Sequence, residues 1–247
     1  MVIPVFLFHL KEFARNSYFL RSVLIATLSA CIVQYMGLRA FDLDPYLACV
    51  RSALIGLWTS TVSAAGIIGF ERFKGTLPYL LLGRLKPELS LICLISAAAS
   101  FGLLAFPLSF IFWLCAGYGS ALVPSLSALL GLAVFFISVL LLSFCIAGVF
   151  VLSPHALVYE GLILVPALCI SGVFGHLLDL KLSLILSTLF PFRWGALMML
   201  EPSGLLSLDW VQLLCLLASL LSWAAFAHFI LRRCLKKARK EASVDLI

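Results

Sequence analysis

Formal charge is what this sequence lacks. Only 11% of its 247 residues are Asp, Glu, Lys or Arg, while 64% are hydrophobic and the mean hydropathy is +1.18. Soluble domains carry about 25% charged and about 45–50% apolar residues. A soluble globule of this length could not bury so much apolar surface and still present a polar exterior. The excess is expected to face lipid, which excludes a soluble domain, a disordered chain and a free nucleic-acid binder. Closely spaced cysteines are also missing: the eight cysteines are never nearer than 18 residues apart and no CxxC occurs. Disulfide frameworks and zinc knuckles are therefore not indicated, and thiols within apolar runs read as packing groups. No GxxxxGK[ST] loop is present, so the chain has no phosphate cradle of that kind.

What is present is a series of long uncharged runs. A helix needs roughly 20 apolar residues to cross the hydrocarbon core. Reading between charges gives Ser22 to Leu38 and Ser52 to Phe70. The 71 residues from Leu89 to Tyr159 carry no formal charge. That run is too long for one helix and breaks at Gly117-Tyr118-Gly119-Ser120 with Pro124, and again at Ser153-Pro154-His155. It yields spans near 89–116 and 123–151, followed by Ala156 to Phe174 and Trp210 to Leu231. The expected fold is all-α and membrane-integral, with six transmembrane helices in one domain, 1–247.

Lys and Arg set the expected orientation. With the N-terminus inside, thirteen fall on the inner side (Lys11, Arg15, Arg21, Arg72, Lys74, Arg84, Lys86 and six from Arg232 to Lys240). Four fall outside: Arg39, Arg51, Lys181 and Arg193. Both termini are then cytoplasmic. The net charge of +6 reads as topology and attraction to lipid headgroups, most of all in the basic tail 232–247. The first basic residue is Lys11, so the start does not read as a cleaved signal. Leu28-Ser29-Ala30-Cys31 matches a lipidation box but is followed by Ile32 and Val33 inside a span, which makes it a chance match.

Three segments do not read as plain spans. Residues 1–20 contain an amphipathic helix whose stripe is Phe6, Leu7, Leu10, Phe13 and Ala14, with Lys11, Glu12, Arg15 and Asn16 opposite. It reads as an interfacial helix. The inner loop 71–88 holds a short apolar run, Leu77 to Leu82, between charged turns. Such a run either lies on the inner leaflet or inserts into a groove of a cytoplasmic partner. Residues 175–202 offer two apolar pieces too short to cross, joined at Pro191, and read as an outer re-entrant hairpin. Glu160 is the one formal charge placed inside a span. Intramembrane carboxylates are costly and mark function by default, although so near a helix end it could simply hydrogen-bond, for example to His155. Ser171 and His228 fall near opposite faces and cannot form a nucleophile–base pair.

Together these features resemble the permease subunits of ABC exporters of the ABC-2 type. The likeness rests on Glu71-Arg72-x-x-Gly75-Thr76-Leu77 after the second span, and on Ser171-Gly172 before a re-entrant segment with Pro191. The interfacial helix is a third, weaker likeness, and Pro78 departs from the family pattern. The resemblance implies a coupling helix through which Glu71, Arg72, Gly75, Thr76, Leu77 and Leu80 contact an ATP-binding subunit. It implies two such ATPase subunits and a second permease, identical or a sister chain, in a bacterial cytoplasmic membrane. ATP and Mg would be bound by the partner and no cofactor by this chain, which would not itself be an enzyme. Glu160, Ser171, Gly172 and Pro191 would belong to the translocation path or its gate. The implied activity is export of a hydrophobic or amphipathic substrate: a drug, a lipid-linked molecule or an antimicrobial peptide. The alternative is an ion-coupled secondary transporter using Glu160.

Overall fold

Capping chemistry sets the first helices. In the computed structural model, which describes residues 2–83, 85–119, 125–152, 162, 165–173, 189–200 and 210–244, α1 (Val2–Arg15) ends one residue before Asn16. The Asn16 side chain accepts a hydrogen bond from the Tyr18 amide and starts α2 (Ser17–Phe41). Asp42 then adopts a left-handed conformation, φ 49°, and closes α2. Asp44 accepts from the Tyr46 amide at 2.9 Å and Pro45 opens α3 (Pro45–Ser63), an N-cap followed by a proline whose missing N–H is not needed there. After one 3-10 turn (Ala64–Gly66) the same rod continues as α4 (Ile67–Phe73). A short helix α5 (Leu77–Leu82) follows. The next rod is α6 (Pro87–Ala99), a 3-10 stretch (Ser100–Leu104) and α7 (Ala105–Cys115). The others are α8 (Leu126–Leu152), α9 (Pro191–Leu200) and α10 (Trp210–Val244).

No strand occurs among the described residues. Five helical rods are long and apolar enough to cross a membrane: Ser17–Phe41, Pro45–Phe73, Pro87–Cys115, Leu126–Leu152 and Leu213–Ala238. They match five of the six expected spans. About half of the sixth, Ala156 to Phe174, lies outside the described residues; within it 162 and 165–170 are helical. The first two rods overrun the expected limits because charge does not stop a helix. Arg21, Arg39 and Arg51 sit within helical turns, and the long stem of arginine lets the head reach a polar region from inside a helix. The interfacial segment is correspondingly shorter than 1–20, since residues from Ser17 onward belong to α2.

The α3–α4 rod is the centre of the bundle, with 72% of its apolar window buried, whereas α10 has only 17% buried and is peripheral. Packing relies on small residues that let backbones approach. A Cβ added to Gly56 of α3 would stand 2.2 Å from Thr27 Oγ1 of α2 and 2.9 Å from Ala105 of α7. One added to Gly102 would stand 3.2 Å from the Leu57 carbonyl. The aromatic centre is Trp58, fully buried between Phe135 of α8 (ring centroids 6.1 Å) and Phe192 of α9 (5.2 Å).

One end of the bundle collects the basic residues. Arg72 reaches the end of α8, Gly148 of α8 packs on Leu231 of α10, and Lys74 pairs with Glu12 of α1 at 4.0 Å. A cleft of about 330 Å³ there is lined by Glu12, Phe13, Arg15, Asn16, Phe70 and Lys74. The helix α1 lies on α6 and buries His9 and Phe13, while Leu7 and Ala14 of the expected stripe are exposed. The buried line is therefore rotated toward His9, because α1 packs on a protein neighbour and not on lipid alone.

Candidate functional site

Two regions carry the residues singled out by the sequence. The first is the turn after α4. Here Gly75 has φ +72°, the Gly75 amide donates to the Arg72 carbonyl (3.0 Å) and the Thr76 amide to the Glu71 carbonyl (3.0 Å). This pair of bonds is the Schellman arrangement, which needs a left-handed residue and so favours glycine. The Thr76 hydroxyl turns back to the Glu71 carboxylate instead of capping α5. Pro78 falls in the first turn of α5, where no amide hydrogen is needed, so it leaves the helix intact.

The same turn is fastened to the bundle. The Arg72 guanidinium donates to the carbonyls of Val151 and Phe150, in the last described turn of α8. A cation at a helix C-terminus also meets the negative end of the helix dipole. Side chains divide sharply between inside and outside. Glu71 and Leu77 are buried, Arg72, Thr76 and Leu80 are half-buried, and Gly75 is exposed. The residues that face outward most strongly were not picked out from the sequence: Phe73 is 90% exposed, Tyr79 80% and Leu82 68%. Their signal was available as helical spacing, since residues 79 and 82 are three apart on α5 and share one face.

Gly75→Leu gives a clean test of the turn. No atom lies within 4 Å of an added Cβ there, so the change strains only the backbone. An expected cost of about 1–2 kcal/mol for a left-handed non-glycine residue should displace α5 with little loss of bundle stability. Faster proteolysis at 73–83, with an unchanged melting profile, would show it.

The second region is the short helix α9. Pro191 opens it, and it lies buried against α8 and α3. The contact is close: a Cβ at Gly195 would fall 2.5 Å from the Phe135 amide nitrogen. Against α3 the register is antiparallel, from Phe192 on Trp58 to the Met199 carbonyl, which accepts from Tyr46 Oη at 3.1 Å. Trp58 is thirteen residues into α3, or about 20 Å along the axis, so the start of α9 lies deep within the bundle. Ser171 and Gly172 join it there. Ser171 is fully buried, Gly172 has φ +77°, and its added Cβ would stand 3.4 Å from Arg193 Cγ.

The structure thus brings Ser171, Gly172 and Pro191 to one place and gives them a neighbour, Arg193, that sequence reading had put on the outer surface. Arg193 follows the buried Phe192 on the first turn of α9 and is half-buried. Glu160 and the hairpin half 175–188 lie outside the described residues. Between α3, α7, α8 and α9 runs an apolar groove of about 290 Å³, bordered by Tyr46, Val50, Phe106, Phe110, Leu129 and Met199. No protein-family model matches the chain, and no curated protein or solved structure is significantly similar to it.

Proposed function

We propose that the chain is the membrane subunit of an ATP-driven exporter of the ABC-2 type. The observation that carries this reading is the α4–α5 turn. A short helix with an outward apolar face projects at the basic end of the bundle and is tied by Arg72 to the C-terminal end of a spanning helix there. A partner that pushes on α5 therefore has a mechanical route into the membrane. The buried α9 supports the reading as the inner half of a re-entrant segment beside a groove fit for an apolar cargo. The grouping of Lys and Arg at the α5 end favours a cytoplasmic placement of that end and of both termini in a bacterial inner membrane. ATP and Mg belong to the partner subunit, two copies of which would serve two permeases, identical or sister chains. The ion-coupled alternative depends on Glu160, which lies outside the described residues.

In this reading the docking face is Phe73, Tyr79 and Leu82, with Gly75, Thr76 and Leu80 beside it. Glu71 and Leu77 act from inside by shaping the turn. The test is a pull-down of the tagged chain in mild detergent with mass spectrometry of what accompanies it. An ATP-binding subunit in stoichiometric amount is expected, and Tyr79→Ser with Leu82→Ser should deplete it at least tenfold, about 1.4 kcal/mol. A chain that purifies without any nucleotide-binding protein overturns the reading.

A further inference from the structure

Spanning helices end where hydrocarbon gives way to lipid headgroups. Two such ends frame the polar cleft of about 330 Å³: α2 begins at Ser17 and the α3–α4 rod ends at Phe73. Phe13, Arg15 and Asn16 line the cleft just before the first, Phe70 and Lys74 line it around the second, and Glu12 of α1 completes it. The cleft therefore lies at the level of lipid phosphates. Its donors are largely unspent. Lys74 Nζ rests 4.5 Å from the centre of the Phe70 ring and 4.0 Å from Glu12 Oε1, the outer limit of an ion pair. The other Glu12 oxygen faces His9 Nδ1 at 3.6 Å. Arg15 is three residues from Glu12 and its neighbour on the helix surface, yet it makes no ion pair among the described residues. Asn16 accepts from the Tyr18 amide through Oδ1, which leaves its side-chain NH2 to donate.

Two cations and an amide donor thus share the cleft with one carboxylate, which is already turned to Lys74 and His9. The walls beside them, Phe13 and Phe70, are aromatic, and Phe70 is 42% exposed. A free anion would leave that ring unused, whereas a phosphate carried on apolar chains meets both the donors and the ring. We propose that the cleft binds the headgroup phosphate of an anionic phospholipid, with Arg15 and Lys74 donating to its oxygens and Phe70 beside its glycerol. Guanidinium suits phosphate because its fork donates two parallel bonds, while Lys74 contributes a point charge. A lipid held in this way joins α1 to the end of α4, one residue before the Gly75 turn. The site needs only a membrane-embedded bundle and stands independently of the exporter reading.

The test uses the full chain in neutral detergent and reads lipid binding by native mass spectrometry, with dioleoyl phosphatidylglycerol against dioleoyl phosphatidylcholine. Saturable binding of the phosphatidylglycerol in preference to the phosphatidylcholine is expected. Arg15→Gln and Lys74→Gln should each weaken it about fivefold, the worth of one basic residue against an anionic headgroup. Glu12→Gln should tighten it, because it removes the one like charge in the cleft and releases Lys74. All three side chains are exposed, so the variants should keep the elution volume and helical signal of the wild type. Arg232→Gln removes the same charge from the basic end outside the cleft and should bind as the wild type does. Resistance of the bound lipid to excess inorganic phosphate supports the lipid as ligand, and displacement by it overturns that assignment in favour of a free anion. Wild-type binding by both Arg15→Gln and Lys74→Gln overturns the site. So does an equal loss in Arg232→Gln, which would make the attraction a property of the whole basic end. Because neither ATP nor a partner enters this measurement, the site can fail while an ATPase subunit still co-purifies, and the reverse.

Discussion

Arg72→Ala is expected to cut transport more than tenfold while the ATP-binding subunit stays attached and continues to hydrolyse ATP. The Arg72 side chain leaves the turn that carries α5 and ends on the Val151 and Phe150 carbonyls of α8. Hydrogen bonds from charged groups are worth about 1.5–3 kcal/mol, enough to make the turn and the helix end move as one body. Without them α5 can rock against its partner while α8 stays still. The exposed surface of α5 is untouched, so docking should survive. Arg72→Lys should fall between, since a point charge cannot fork across two carbonyls as a guanidinium does. The measurement is the ratio of cargo moved to ATP hydrolysed in proteoliposomes. A wild-type ratio in the alanine variant would show that motion reaches the bundle by another route, for instance through Lys74 and Glu12.

Composition and the long apolar runs made five apolar helices long enough to cross a membrane legible, because the cost of charge in lipid is large and local. Helix ends were less so. Arg21, Arg39 and Arg51 looked like boundaries, yet helix propagation costs little through an arginine that can extend its head. The turn at Gly75 was readable, since glycine at the end of an apolar run followed by threonine fits a left-handed cap. What could not be read was which side of that turn faces inward. Glu71, expected to contact a partner subunit, is buried, with the Thr76 hydroxyl on its carboxylate. In the sequence Arg193 reads only as an outer-side cation of the re-entrant segment; the packing of Gly195 on Phe135, which leaves Arg193 half-buried, was not legible. Only tertiary contact settles such cases, and the closest packing of α9 is with Phe135 and Trp58, over fifty residues away in sequence.

That packing makes Gly195 the position where a single methyl group should do the most damage to the fold. Alanine is the better helix former by about 0.8–1.0 kcal/mol, so propensity alone would have Gly195→Ala stabilise α9. The added Cβ, however, falls 2.5 Å from the Phe135 amide nitrogen and 2.7 Å from its Cα. These are backbone atoms of a buried helix and cannot step aside by changing rotamer. The helices must separate, and overpacking of this kind costs about 1–3 kcal/mol, occasionally more, which outweighs the propensity gain. Gly148→Ala offers the comparison, since there the nearest atom is the tip of the Ile230 side chain at 2.9 Å. It should be markedly milder. Thermal inactivation followed by size exclusion in detergent should rank Gly195→Ala well below Gly148→Ala, and Gly195→Leu below both. Equal stability of the two alanine variants would mean that α9 is not seated on α8 in the working protein.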